Sequence, residues 1–406
     1  MPAAGPGGYP MGQAVRLAEL AGPDLHPVLA RLRAAVPVSW LPVLNGWLVT
    51  RFDLAVRVLR DSAAFTVDDP RFSTARVVGP SMLSLDGAAH DRHRRPFGGP
   101  FSRPEVQDRL AGFVTAEAGR LVAAIRPAGH AELRRSLAGP LAVAVVARLL
   151  GLGETPPEMI LAWYDAIVAA VSDLAAEPGG APPAAGTAAF GELAERLRAV
   201  ISVAEADRSL LAAAAGGTGG ERSATGLSTA EAVSNAAVLM FGGIETTEGM
   251  ITNAAWHLLS HPDELRLVRD EPGLLGNAIE ESLRLEPAAA VVDRYATRDI
   301  DLGGAAVCQG DLVTVSLAGA GRDPAVFADP DRFSVRRENA GRHLAFARGP
   351  HFCLGVHLAR LEAQTALKAV LRLPGLRLDP DQPTAPQGLV FRKPAALEVR
   401  WDQETW

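Results

Sequence analysis

The sequence predicts a mainly α-helical protein with a small β region, and three observations carry that expectation. Helical patterning dominates from about His90 to Leu285. Inside it, residues 228 to 259 are apolar on nearly every face, as in a helix passing through a protein interior. After residue 290 the pattern changes to short strand-and-turn segments, RYATRDIDLGG and AAVCQGDLVTVSLA.

Taken in order, residues 1–15 are Gly/Pro-rich and are expected to be a flexible start, with residues 16–406 forming a single domain. A short β-like segment runs from Trp47 to Arg51. Two amphipathic helices are expected at roughly 157–175 and 188–213, separated by the low-complexity break AEPGGAPPAAGT at 176–187. A second break, AGGTGGERSATGL, covers 215–227. Ser228 and Glu231 then give a capping-box start for the long apolar helix. A helix over about 355–373 precedes a terminal β segment ending LEVRW.

Bulk properties narrow the function classes. The chain has 406 residues, 48% hydrophobic and 21% charged, enough for a large core and too apolar for disorder. A net charge of −6 weighs against nucleic acid as the main partner. The start lacks a basic cluster followed by an apolar core, and no run of about 18 uncharged apolar residues has membrane-like flanks. A cytoplasmic, soluble protein with no membrane partner is the expectation. Cys308 and Cys353 are the only cysteines, which excludes a disulfide framework and a four-thiolate zinc cluster. Cys308, in a strand-turn segment without basic neighbours, is read as a packed or partly exposed structural thiol. Lys368 and Lys393 are the only lysines among 40 basic residues, a bias read as genomic base composition.

The segment HLAFARGPHFCLGVHLARLE, residues 343–362, carries the strongest chemical signal. Cys353 stands just before a helix opened by Gly355, where free amides favour a thiolate. Gly349 and Gly355 allow backbone to approach something flat, and Arg348 and His351 add positive charge. Alone, this would equally suit a nucleophilic or an inert buried cysteine. In the long helix, Gly242-Gly243 and Glu245-Thr246-Thr247 are costly features in a buried setting, so function is sought there. The bland reading is close helix packing with Glu245 paired. Glu281-Ser282-Leu283-Arg284 places opposite charges one helical turn apart, a spacing common on helix surfaces. His90 and Arg94 share a helix face and by themselves read as solvated surface; His90-x-x-His93 lacks a second ligand pair for zinc.

Read together as Phe346, Gly349, His351, Cys353 and Gly355, the loop F-x-x-G-x-H-x-C-x-G resembles the haem-binding loop of the cytochrome P-450 superfamily, with Ala347 where the usual motif has a second glycine. Glu281 and Arg284 are similar to the E-x-x-R of that family's helix K, and Gly242, Gly243, Ile244, Glu245 and Thr246 resemble the oxygen-binding groove of its helix I. His90 and Arg94 look like the pair on that family's helix C that binds a haem propionate; with it the four motifs fall in family order, and the resemblance spans roughly residues 20–401.

The resemblance implies the cytochrome P-450 fold, a triangular prism with haem b between helices I and L and an axial thiolate from Cys353. His90, Arg94, Arg294 and His351 would hold the haem propionates. Thr246 would bond back to the helix carbonyl four residues earlier and open the groove above the ring, and Glu245 would link it to solvent as a proton source. Glu281 and Arg284 would lock the fold behind the haem loop together with Arg322, Asp323 and Arg332. The activity implied is insertion of one oxygen atom of O2 into a small hydrophobic or amphipathic molecule, by hydroxylation or epoxidation, in bacterial secondary metabolism. Electrons would come from NAD(P)H through a ferredoxin and its reductase, since a G-x-G-x-x-G fingerprint is absent. Arg92, Arg95, Arg103, Arg348 and Arg360 are the candidate docking face for that acidic partner. Substrate walls are expected from the 72–85 loop, from Leu239, Ile244 and the segment Ala288 to Val292 (Ala290, Val291 and Val292 among them), and from the turn Leu389, Val390 and Phe391. The 176–187 loop is expected to belong to a mobile lid. A peroxide-driven haem-thiolate enzyme and a non-catalytic haem-thiolate binder are the alternatives.

Overall fold

The computed structural model describes residues 8–176, 180–203, 211 and 226–403. Its organising element is a helix of 32 residues, α6 (Thr229–Ser260), about 48 Å long at 1.5 Å per residue. The capping box is formed: the Ser228 amide donates to Glu231 Oε2 at 2.8 Å and the Glu231 amide to Ser228 Oγ at 3.3 Å. Pro262 begins the next helix, so α6 ends at the residue where its own ladder would need an amide.

Other helices surround α6 in chain order: α1 (Gly87–Gly98), α2 (Arg103–Ile125), α3 (Gly139–Leu150), α4 (Pro157–Ala176) and α5 (Ala184–Val203) before it, α7 (Leu275–Leu285) and α8 (Val356–Val370) after it. α3, α5, α7 and α8 pack directly on α6. Two apolar cores result. One joins α2, α7 and α8 to the C-terminal half of α6; the other joins α3, α4 and α5 to its N-terminal half.

The β region is small. A five-stranded sheet has the order β1 (Val38–Leu41), β2 (Gly46–Val49), β8 (Leu312–Ser316), β5 (Val291–Ala296) and β3 (Phe65–Thr66). β2 and β8 pair parallel, Trp47 opposite Val313; the other neighbours are antiparallel. β4 (His130–Glu132), β10 (Glu398–Arg400) and β9 (Arg377–Leu378) form a second sheet, and β6 (Ile300–Leu302) with β7 (Ala305–Val307) a hairpin.

Several boundaries differ from expectation for local reasons. Residues 1–7 of the expected flexible start lie outside the described residues; beyond them Tyr9 and Val15 are buried around a short helix, Pro10–Gln13. Arg51 falls past the strand, capping the helix Phe52–Arg60. The break at 176–187 is shorter than its composition suggests. Pro182 and Pro183 stand just before α5, which begins at Ala184, and the Thr187 amide donates to the Pro183 carbonyl at 3.1 Å. Gly186 lies within α5 where a Cβ would come 2.3 Å from the Ala170 Cβ, so its lack of a side chain lets α5 approach α4 closely. Residues 177–179 and most of the expected break at 215–227 lie outside the described residues, as does the far end of the helix expected to reach 213.

Candidate active site

The loop before α8 is built by backbone geometry. The Cys353 amide donates to the Phe346 carbonyl at 2.9 Å, closing the loop on itself. Gly349 has φ +73°, and a Cβ there would lie 2.4 Å from the Leu59 carbonyl oxygen. Ala347 also sits in the left-handed region, φ +58°, which is why a glycine suits that position. Arg94 of α1 reaches across and donates to the Phe352 carbonyl at 2.5 Å, fixing the residue before the cysteine. The sulfur accepts the Gly355 amide at the start of α8. Burial pushes the Cys353 thiol up, while the Gly355 amide, Arg94 and Arg360 pull it down without cancelling that. A thiolate there therefore calls for a bonded cation. Cys308, by contrast, is exposed in the turn after β7 and not packed.

Across from Cys353 lies α6, with a cavity of about 290 Å³ between. Thr246 Oγ1 donates to the Gly242 carbonyl at 2.6 Å, the bond expected from sequence. A Cβ at Gly242 would meet nothing within 4 Å, and Gly243 lies where a Cβ would touch Val146 of α3. Gly242, Gly243, Thr246, Phe346, Cys353 and Gly355 all line the cavity.

Glu245 does not. It is buried on another side of α6, where Lys393 Nζ lies 2.7 Å from its Oε1. The expected direct link to solvent is replaced by an ion pair. Lys393 was not anticipated, because nothing local connects a lysine after the last helix with a glutamate 148 positions earlier.

The four expected propionate ligands fall into one neighbourhood with different commitments. Arg94 and His351 line the cavity. His351 Nε2 is paired with Asp86 Oδ1 at 2.9 Å, and that contact, with Thr66 and the Val67 amide, outweighs burial to hold the Asp86 carboxyl well below its usual range. The His90 ring lies 4.5 Å from that of His351, and its Nε2 is buried with no partner. Arg294 is buried on β5 and donates to the Asp293 carbonyl at 2.7 Å. Glu362 of α8 also lines the cavity; its Oε2 has no partner, and burial pushes its carboxyl well above the usual range. Its place in a regular helix pattern gave no sign of that.

The cavity wall corrects the sequence expectation. Leu239 and Val292 line it, but Ile244, Ala290, Val291, Leu389 and Val390 do not. At 100° per residue, Leu239, Gly242, Gly243, Thr246 and Met250 share one face of α6, and Ile244 points into the opposite core. Strand alternation puts Val292 inward and Val291 outward. Val390 is 41% exposed at a turn tip. Met82, Leu83, Ala288 and Ala289 lie on the wall as expected, joined by Val146, Leu149 and Leu150 of α3.

Behind the loop, Arg284 and Glu281 are both fully buried and bonded at 2.6 and 2.9 Å. The third member is Arg337, whose Nε donates to Glu281 Oε1 at 2.8 Å. Arg332 contributes its carbonyl to Arg284, not its guanidinium; Arg322 pairs with Asp331, and Asp323 accepts the Phe52 amide. Of the expected docking face, Arg92 and Arg360 are committed to Glu231 and Glu280, leaving Arg95, Arg103 and Arg348.

The described residues hold no helix long and apolar enough to cross a membrane. Comparison with known proteins agrees with the site. The family described as Cytochrome P450 matches residues 191–396. The cytochrome P450 monooxygenase PikC of Streptomyces venezuelae is 36% identical, covering 93% of this chain and 91% of its own length. Nocardicin C N-oxygenase of Nocardia uniformis subsp. tsuyamanensis is 34% identical, covering 97% and 98%. Among solved structures, CalO2 superposes with a TM-score of 0.84 at 29% identity, covering 94% of this chain and 97% of that one. A half-buried cysteine facing a threonine groove, in a sequence this similar to those enzymes over nearly its whole length, shows that the chain belongs to the cytochrome P450 family.

Proposed function

We propose that this P450 monooxygenase oxidises a small, largely apolar secondary metabolite, with Cys353 as the axial haem ligand and a ferredoxin as electron donor. The observation that carries the reading is the single cavity bounded by the Cys353 sulfur below and the Gly242–Thr246 groove above. The family's cofactor is haem held by a cysteine thiolate. The residues present fit it: a half-buried thiol lining the cavity, an orphaned His90 Nε2 beside Arg94 and His351 at one rim, and open space at Gly242.

Bound there, haem supplies reductive activation of dioxygen, so that substrate C–H, O2, two electrons and two protons yield the alcohol and water. The chain's residues do the rest. Arg94, His90, His351 and Arg294 would hold the propionates. The Gly355 amide and Arg94 hold the cysteine loop in shape. Thr246 presents a hydroxyl oxygen to the cavity while its proton is spent on the Gly242 carbonyl. The apolar wall binds substrate by area burial and excludes water. The names of the relatives PikC and nocardicin C N-oxygenase support secondary metabolism as the setting. Arg95, Arg103 and Arg348 offer positive charge to an acidic ferredoxin near the Cys353 face.

The test is a screen of apolar small molecules for the ferric spin-state shift, with the carbon monoxide difference band of the reduced protein as control. Cys353→Ala is expected to lose both signals. A spectrum that survives that substitution, or turnover with hydrogen peroxide alone and none with ferredoxin and its reductase, would overturn the reading.

A further inference from the structure

Glu362 of α8 lines the cavity yet has no part in the chemistry above. It stands nine positions after Cys353, within the helix that the cysteine loop leads into. Leu358 and Ala359, four and three positions before it, line the same cavity, so one face of α8 turns toward that space. Glu362 is 2% exposed and its Oε2 has no partner. Met250 of α6 and Leu283 of α7, which join it on the cavity wall, belong to the apolar core that α8 shares. The nearest charge along α8, Arg360, is committed to Glu280.

Every other buried glutamate among the described residues has a cation. Glu281 is held by Arg284 and Arg337, Glu286 by Arg392, and Glu245 and Glu248 share Lys393. No charge or hydrogen bond acts on the Glu362 carboxyl, and burial alone pushes it well above its ordinary range. An ionised carboxylate left bare in such a place costs too much to persist. The group is therefore a carboxylic acid, with one O–H to donate and a carbonyl oxygen to accept. A methionine would fill the same helix position and bury nothing polar. The hydration this acid gives up has to be replaced by something inside the cavity. A single water does so, because it can accept from the acid's O–H and donate to its carbonyl oxygen, two of the hydrogen bonds that hold an enclosed water.

We propose that Glu362 is a positioning residue for the cofactor: it holds an enclosed water on the Cys353 side of the cavity, and that water steadies the face of the haem nearest the cysteine. This rests on the reading of Cys353 as the axial ligand. Glu362 donates from a proton that it keeps, and it passes none to the cofactor, so an amide of the same shape can stand in for it. A carboxyl that only filled space would behave in the opposite way, since deleting an unpaired buried polar group relieves the core.

The haem-loaded parent is compared with Glu362→Gln and Glu362→Met. Each is expected to keep the carbon monoxide band; a parent without that band overturns the reading of Cys353 and this inference with it. In infrared difference spectra against Glu362→Gln, the parent is expected to show the carbonyl stretch of a protonated, hydrogen-bonded carboxyl. A crystal structure of the haem-loaded parent is expected to show a water within about 3.0 Å of a Glu362 carboxyl oxygen. Glu362→Gln keeps a donor and an acceptor and should hold haem as the parent does. Glu362→Met should pass haem to apomyoglobin roughly threefold to tenfold faster, the effect of one lost hydrogen bond. Haem held by Glu362→Met as firmly as by the parent, or Glu362→Gln losing haem as fast as Glu362→Met, overturns the proposal with the Cys353 reading left standing. So does a carboxyl that is ionised, or one that is dry in the crystal. Should Glu362→Met fail to fold, the infrared band and the crystal structure of the parent decide.

Discussion

Arg284→Met tests how much of the fold hangs on the charge cluster behind the haem loop. The guanidinium is fully buried and donates to both oxygens of Glu281 and to the carbonyls of Gly321, Pro330 and Arg332. A methionine fills similar volume and donates nothing. Breaking a buried ion pair from one side costs about 3–5 kcal/mol. Two of the three carbonyls, Gly321 and Pro330, lose this donor, at about 1–3 kcal/mol each; the Arg332 carbonyl keeps Arg337 at 3.0 Å. The least of these figures together reach about 5 kcal/mol, the lower edge of a whole domain's stability. With an unfolding entropy of about 2.1 cal/mol/K per residue, a loss that size lowers the melting temperature by roughly 6 °C in a chain of this length. Calorimetry of the apo and haem-loaded protein measures it, with soluble yield as a coarse check. Arg284→Lys should fare little better, since an ammonium cannot fork between a carboxylate and three carbonyls. A methionine variant melting within about 2 °C of the parent would refute the assignment of this cluster as the lock.

Further outcomes follow from the same geometry. Thr246→Ala should keep haem and substrate binding yet release peroxide in place of product; fully coupled turnover would exclude the hydroxyl from proton delivery. Gly349→Ala places a Cβ against the Leu59 carbonyl at a left-handed position, costing at least about 1–2 kcal/mol from the backbone alone, and should weaken haem retention in a dialysis assay. Leu239→Ala and Val292→Ala should shift the ranking of ligands in the spin-shift screen, whereas Ile244→Val and Val390→Ala should not. Burial pushes the Glu280 carboxyl up, but His343 and Arg360 outweigh that and hold it down to about 2. A depressed carboxylate stabilises the fold above its ordinary value near 4.5 and loses that contribution as the pH falls toward 2, so Glu280→Gln should flatten the acid limb of stability against pH.

What the sequence made legible was local. The capping box at Ser228, the Thr246 bond to its own helix, the glycine turn before Cys353 and the Glu281–Arg284 pair each depend on residues within four positions, and each formed. Partners brought together by tertiary packing left no such trace. Asp86 under His351, Arg337 beside Glu281 and Lys393 beside Glu245 are charges whose counterpart is 56 to 265 positions away. Val146, Leu149 and Leu150 of α3 read as ordinary core until α6 is seen to cross them. One miss was avoidable: once Gly242 and Thr246 were placed on the groove, helical periodicity already sent Ile244 elsewhere.

The parallel pairing of β2 with β8 imposes an order on biosynthesis. Trp47 meets Val313, so one edge of the first hairpin stays without its neighbour until 266 further residues have left the ribosome. At about 5–20 residues per second that interval is roughly 13–53 s. During it, β2 offers apolar Trp47, Leu48 and Val49 on an unsaturated strand. Nascent chains halted before residue 312 should therefore cling to chaperones or precipitate, and the N-terminal third of this enzyme matures only after most of the remainder has been made.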